Sequence, residues 1–541
     1  MDTNGNAPAA WTVERPGEEQ HELDLDRRRF LGRLAGVAGL AAVATLPVDR
    51  AAAEVRPRSG NYPFSLGVAS GDPRPRNVVL WTRLAPEPFR RRGGMPDVAV
   101  GVDWSLAADP AMRRPVRTGR ALAMPELAHS VHVELDGLEP DREYFYQFRY
   151  RGDVSVVGRT RTAPAAGARQ RRLDFAFASC QAWQDGYYSA YRHLAEEELD
   201  LVVHLGDYVY EGAVPADGGR RHVRVPRSAR EAPQSLQQWR TRYALYKSDP
   251  DLQRAHARFP WVVTWDDHEV VNDYASDRLP EQDISALRTA AYQAYYEHQP
   301  LRAASIPFRE YMRLYRRVGF GDLARFHVLD GRQYRDVPPC GWGEAPACAA
   351  AYDPTVTMLG DRQERWLEDG LTRSRARWDV LANNVMMARL DHDGAKGDRL
   401  WHDSWDGFPA ARNRVTKHFV QADVRNPVII TGDWHSTFVN DIKRDFDRPD
   451  SRTVATEFVG TSISTNGDAE VYGPYYGPMI RYNPHIKFFD GDRRGYVRCT
   501  VTRDQWRTDL RMVRNVRRPD APVYTHASFV VEDGRPGAHR L

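Results

Sequence analysis

The chain has 541 residues, 76 of them basic and 73 acidic, for a net charge of +3. So even a balance excludes a charge-based case for nucleic-acid binding. Charged residues at 28% and aromatics at 11% exclude a disordered chain, and the length allows more than one domain.

Near the start, Arg27-Arg28-Arg29-Phe30-Leu31 precedes a modest apolar run at 34–46, and Ala51-Ala52-Ala53 offers a small-residue cleavage site. This is the layout of a twin-arginine export signal, so residues 1–53 are read as a leader. The expected mature protein is secreted, extracellular or cell-wall associated, with the twin-arginine machinery as its export partner. The run falls short of the ~20 residues of a membrane span, and no later segment reaches that length. A monomer is expected.

Residues 60–163 read as an all-β module. Strands are expected at 77–82, 130–135 and 144–150 from period-two alternation. Leu138-Glu139-Pro140 shortly before Tyr144 resembles the tyrosine corner of immunoglobulin-like and fibronectin-like sandwiches. A polar connector at 163–172 marks a boundary. Beyond it, strands alternate with helices, and a second domain is expected over 171–525. Helices are expected at 187–198, 235–246, 284–298 and 361–374, and a strand at 378–383.

Four cysteines occur. Cys340 and Cys348 are spaced to close a short loop as a disulfide in an exported protein. Cys499 sits in an alternating run and reads as a buried strand thiol. Cys180 stands apart, at a strand end among polar neighbours.

Four polar clusters each follow an apolar run, at 173–178, 201–205, 261–264 and 428–431. They are Ser179-Cys180-Gln181, Gly206-Asp207-Tyr208-Val209-Tyr210, Trp265-Asp266-Asp267-His268-Glu269 and Gly432-Asp433-Trp434-His435. Strand ends converge at one edge of an α/β sheet, so residues distant in sequence can share a site. Carboxylate, imidazole, thiolate and phenolate together suit a ferric ion beside a harder cation. Adjacent carboxylates such as Asp266 and Asp267 raise each other's pKa unless a cation offsets them. Asp433 and His435 alternate along an extended segment and can face one ligand.

These residues carry a resemblance. Phe177-Ala178-Ser179-Cys180-Gln181, residues 206–211 and 265–273, Trp405-Asp406-Gly407, residues 432–441 and Glu457-Phe458-Val459-Gly460-Thr461-Ser462 resemble the PhoD family of alkaline phosphatases and phosphodiesterases. That family lies within the calcineurin-like, purple-acid-phosphatase-like metallophosphoesterases. Residues 64–83, with Gly71-Asp72-Pro73, resemble its N-terminal β domain.

The resemblance implies an α/β (α+β) fold: an immunoglobulin- or fibronectin-like β-sandwich, then a four-layer α/β/β/α catalytic domain. It implies a ferric ion and calcium. Cys180, Asp207, Tyr210 and His435 would hold the iron, with Asp207 bridging to calcium held also by Asp267 and Asp433. Asn383 or Asn384 falls near a further ligand position. His268 matches the catalytic histidine, and Arg332 and Arg335 would grip phosphate oxygens. The implied reaction is hydrolysis of a phosphate mono- or diester by metal-bound hydroxide.

Cell-wall polymer, phospholipid and nucleotide substrates all stay open. A phospholipase-D-type enzyme of the same family is one alternative, and a non-catalytic secreted phosphate- or polymer-binding protein is another. Trp183, Tyr187, Tyr188 and Trp405 line an apolar pocket or simply pack. No Gly-x-Ser-x-Gly elbow and no His-x-His-x-Asp-His cluster is present.

Overall fold

Strands buried on both faces need almost no polar side chains, and three of the apolar runs meet that demand. Leu201–His204, Pro260–Val263 and Pro427–Thr431 are buried at every residue. The computed structural model describes residues 62–280, 282–394, 398–448 and 450–541. The arginine-rich leader read from residues 1–53 lies outside the described residues.

Two large sheets face each other. In the first, Arg172–Ala178, Leu201–His204 and Pro260–Val263 run parallel as central strands. The second is built around Trp378–Asn383, Pro427–Thr431 and Thr453–Val459, also parallel. Alternation assigns the faces. Phe175, Phe177, Val203 and Val262 turn inward and pack against Phe326, Val380, Val428 and Ile430 of the other sheet. Outward residues such as Val202, Trp261 and Val263 pack under aromatic helices carrying Tyr191, Trp239, Tyr243 and Tyr292. On the far side, Leu381 and Ile429 pack under Leu367, Val415 and Phe419. The result is the expected helix–sheet–sheet–helix stack.

One helix start is written plainly in the sequence. Leu236–Lys247 opens on a capping box between Ser235 and Gln238. Ser285–His298, Gly360–Thr372 and the shorter Ser189–Leu194 occupy the other expected stretches. Besides the short Tyr472–Tyr476, two helices, Pro250–Arg258 and Pro409–Gln421, have no counterpart among the sequence expectations. Both begin with proline, which suits a first turn but reads in sequence as a break.

The N-terminal module is a sandwich with a shared sheet. Val68, Leu80 and Val133 pack against Leu106, Tyr144, Tyr146 and Phe148 of a separate five-stranded sheet. The Tyr144 hydroxyl accepts the Glu139 N–H at 3.0 Å, which completes the tyrosine corner. Yet Val68–Arg74 pairs in parallel with Pro260–Val263, so three N-terminal strands extend the large sheet to ten. The far end also runs past its expected limit. Position 525 falls inside the strand Val523–Glu532, and Arg535–Arg540 adds one more. Alternation in that arginine-rich tail is too weak to read as strand. Cys340 and Cys348 are bonded, with Cα atoms 5.6 Å apart, and Cys499 is buried.

One buried cation lies between the module and the first sheet. Lys247 is 2% exposed, and its Nζ sits 4.3 Å from the Trp81 ring centre and 5.3 Å from that of Tyr208. It has no carboxylate partner among the described residues. Burial lowers its pKa from 10.5 to about 7. Between those values the unfolded chain binds a proton that the folded chain refuses, so stability rises with pH across that window and is lost as pH falls. The expected slope from this group is about 1.4 kcal/mol per pH unit. Lys247→Met is expected to remove it and to leave the protein at least as stable near neutrality. Guanidinium unfolding from about pH 7 to about pH 10 measures both.

Candidate metal centre

Each polar cluster sits just past the C-terminal end of its strand. Three belong to the first sheet and the fourth to the second. The edges meet at Ser179, which bridges to Ser462 beyond the second sheet's Thr453–Val459. Left-handed backbone aims the side chains: Cys180 (φ 58°), Asp207 (φ 57°), Asp433 (φ 65°) and His435 (φ 54°) all adopt it. Such residues each cost on the order of 1–3 kcal/mol and gather where a site over-determines them. Gly206, at φ 111°, clears the way, since a Cβ there would fall 2.4 Å from that of Asp266.

Glu269 fixes two of the loops together. Its buried carboxylate accepts the backbone N–H groups of Asp207 (3.0 Å), Tyr208 (2.6 Å) and Asp266 (2.8 Å). An Arg494 nitrogen donates to the His435 carbonyl at 3.2 Å, and Thr461 Oγ1 donates to the neighbouring Arg493 carbonyl at 2.5 Å.

Five of the expected ligands converge. Ligand atoms of Cys180, Asp207 and His435 lie within 4.8 Å of one another, as do those of Asp207, Asp266, Asp267 and Asp433. Asp207 belongs to both groups. Tyr210 joins them: its hydroxyl donates to Asp207 Oδ2 at 2.8 Å and lies 3.1 Å from His435 Nε2. Asp207 Oδ1 is buried and has no hydrogen-bond partner among the described residues. A bare carboxylate oxygen in such a place is costly unless a cation meets it.

The electrostatics agree. Burial, then Asp207, pushes the Cys180 thiol well above its ordinary value. Burial, Asp207 and Cys180 do the same to the Tyr210 phenol. Asp433 is raised by burial and by Asp266. Acids crowded this way hold protons until a cation displaces them.

His268 lies beside the carboxylates and is 17% exposed at its side chain. Its Nδ1 is 2.7 Å from Glu211 Oε2, and its ring lies 4.2 Å from that of Tyr210. Burial opposes its charge, but Glu211, Asp267 and Asp207 outweigh burial and raise its pKa well above the ordinary value. Glu211 also accepts the Asn272 N–H at 3.0 Å. It follows Tyr210 directly in a run buried from Asp207 to Glu211, and a buried acid implies a partner.

The comparisons with known proteins fit this geometry. The family model described as PhoD-like phosphatase matches residues 175–510, and the one for its N-terminal domain matches 50–164. The chain belongs to the PhoD-like phosphatase family. It is 45% identical over 539 residues to a protein named alkaline phosphatase D from Bacillus subtilis (strain 168), covering 98% of this chain and 92% of that one. A solved structure titled "Structure of PhoD" superposes with a TM-score of 0.85 at 46% identity, covering 90% of this chain and 93% of that one.

Within this PhoD-like frame the two arginines expected to grip phosphate lie inside the protein's own network of acids and carbonyls. Arg332 is fully buried. Its Nε donates to Asp266 at 2.5 Å and one terminal nitrogen to both Asp403 oxygens at 2.7 Å. The other lies 3.6 Å from both Asp267 and Asp433. Arg335 donates to the backbone carbonyls of Asp403 (2.7 Å), Asp273 (2.8 Å) and Tyr274 (2.9 Å). Both guanidiniums are already engaged from within. The asparagines are also engaged. Asn384 donates to the Trp265 carbonyl and accepts the Gly331 N–H at 2.8 Å. Asn383 bonds to the Val385 carbonyl and to Trp405 Nε1. Trp183, Tyr188 and Trp405 are buried as packing, and the Tyr187 hydroxyl bonds to the Arg221 carbonyl at 2.7 Å.

Arg332 therefore acts as a fixed counter-charge beneath the carboxylates. Replacing it with methionine strands several buried acids. Arg332→Met is expected to cost roughly 3–5 kcal/mol in urea unfolding. An unchanged midpoint would free Arg332 for a substrate role.

Proposed function

We propose that this PhoD-like phosphoesterase hydrolyses phosphate mono- or diesters at the cluster centred on Asp207, with a ferric ion and calcium as its cations. Asp207 carries the reading. One oxygen is shared with Tyr210 and lies 3.6 Å from His435 Nε2, and the other is buried and bare. Cys180, Tyr210 and His435 on one side of it are the donor set for a ferric ion, with thiol, phenol and imidazole. Asp267 and Asp433 on the other side offer hard oxygens suited to calcium. Asn384, with its amide on backbone partners, is left out of the set. When bound, the two cations supply positive charge against the phosphoryl oxygens and acidify water.

The chain's own residues do the rest. His268 holds a proton at the open face of the site, where it can meet the leaving oxygen of the ester. Glu211 fixes the tilt of that ring and keeps it charged. Arg332 holds Asp266 and Asp403 in register, so the carboxylates stand ready before substrate arrives. The residue 1–53 leader supports export of the folded, loaded enzyme by the twin-arginine route to the cell surface or medium. Among the described residues no helix is long and apolar enough to cross a membrane. The substrate is a phosphate ester of a cell-wall polymer, a phospholipid or a nucleotide, and a panel of these with a chromogenic phosphodiester ranks them.

Asp207→Ala is expected to abolish turnover of the chromogenic diester. In metal-free protein its urea midpoint should equal or exceed that of the parent, because one of four crowded acids is removed. Retained turnover would overturn the shared-carboxylate role. Protein purified after native export should contain iron and calcium and show a visible charge-transfer band, and chelation should remove band and activity together. His268→Gln is expected to lower kcat by about 10²–10⁴ with the metal content unchanged.

A further inference from the structure

His435 is held from behind as well as in front. Its Nε2 faces the Tyr210 hydroxyl at 3.1 Å. Its Nδ1 lies 3.1 Å from the hydroxyl of Tyr472. That hydroxyl donates in turn to Asn466 Oδ1 at 3.3 Å. A phenol has one proton. With it directed at Asn466, the Tyr472 oxygen can only accept from His435, so the ring hydrogen belongs on Nδ1. The opposite tautomer would turn the Tyr472 hydroxyl around and strip Asn466 Oδ1 of its donor. We infer that Tyr472 and Asn466 are positioning residues that lock His435 as the Nδ1–H tautomer, with the Nε2 lone pair aimed at Asp207 and Tyr210. For its purpose the lock rests on the metal reading proposed above; its geometry does not.

The support for Tyr472 is unusual in kind. Its short helix, Tyr472–Tyr476, has no buried residue, so packing alone does not hold it. Polar and aromatic ties do. The Gly473 N–H donates to Asp492 Oδ1 at 3.0 Å, and a Cβ on Gly473 would lie 2.0 Å from Asp492 Oδ2. Only glycine permits that approach. The Tyr475 hydroxyl donates to Glu344 Oε2 at 2.5 Å, within the loop that the Cys340–Cys348 disulfide closes. Tyr476 stacks on Tyr472 with ring centres 5.8 Å apart and rests 5.9 Å from Trp434, the neighbour of His435. Asn466 is itself fixed. It adopts left-handed backbone at φ 65°, and its N–H donates to Asp185 Oδ2 at 2.7 Å. A histidine ligand's second nitrogen commonly meets such a partner, which sets both tautomer and ring angle.

The test uses the full-length protein in two arms. In the first, metal-free protein labelled with ¹⁵N at histidine is studied by long-range ¹H–¹⁵N spectra, with the His435 signals identified by their loss in His435→Gln. Protonated Nδ1 in the parent, giving way to mixed tautomers in Tyr472→Phe, is expected. Asn466→Asp, which keeps an acceptor and tolerates the same backbone, should preserve the parent pattern. A protonated Nε2 in the parent, or no change in Tyr472→Phe, overturns the lock. In the second arm, ferric ion is titrated against a competing chelator. Tyr472→Phe should bind it ~10- to 100-fold more weakly than the parent, with Asn466→Asp near the parent. Equal affinity in Tyr472→Phe overturns the positioning role toward metal. A parent that binds no ferric ion would sink the metal reading, while the first arm still decides the lock.

Discussion

Four carboxylates, the buried Asp207, Asp266 and Asp267 and the half-buried Asp433, stand with oxygens within 4.8 Å of one another, and the rest of the site answers their repulsion. Like charges in a low dielectric repel by several kcal/mol even at an effective dielectric near 20. One guanidinium, Arg332, reaches all but Asp207. Arg332 also serves Asp403, and the charged His268 beside Asp207 and Asp267 is shared with Glu211, so these two positive charges do not balance four acids. The remaining imbalance appears as protons held on Asp433, Cys180 and Tyr210. Cations entering the cluster exchange for those protons, which ties metal affinity to pH.

Assembling such a cluster requires rigid delivery. The strands that carry it are buried on both faces, and the residues at their ends adopt left-handed backbone that unsupported chain would relax. Glu269 ties the Asp207 and Asp266 turns into one piece through three backbone N–H groups. The N-terminal module contributes to the same stiffness. Val68–Arg74 is hydrogen-bonded to Pro260–Val263, the strand that leads into Trp265 to Glu269, so that strand is not an exposed edge. The two family-model matches, 50–164 and 175–510, thus meet within one continuous sheet.

What the sequence showed and hid follows from the range of each interaction. Strands such as Trp378–Asn383 and Ser130–Leu135 were legible to the residue, because alternation and apolar runs are local. The polar clusters were legible because several acids directly after an apolar strand are too costly without a purpose. Arg332 was legible as important but not in its role. Whether an arginine faces solvent or three buried acids depends on residues 66 and 71 positions away, Asp266 and Asp403. The hydrogen bonds of Asn383 and Asn384 were hidden for the same reason, since their partners Trp405 and Trp265 are remote. Glu211 and Tyr472 were hidden because each acts on a histidine far along the chain.

Counting protons around Tyr210 shows why the cluster is poised for a cation. The Tyr210 hydroxyl already accepts from Thr465 Oγ1 at 2.8 Å, and it has one proton to give. Two acceptors face it: Asp207 Oδ2 and, with Nδ1 of His435 turned to Tyr472, the Nε2 lone pair. The Cys180 thiol directs its own proton at Ser179 Oγ, 3.2 Å away, and so relieves neither. Asp207 Oδ1 receives nothing. Acceptors therefore outnumber donors, and another neutral donor would have to enter a buried space. A cation meets several lone pairs at once and favours the ionised phenol and thiol, so one charge settles what hydrogen bonds leave open.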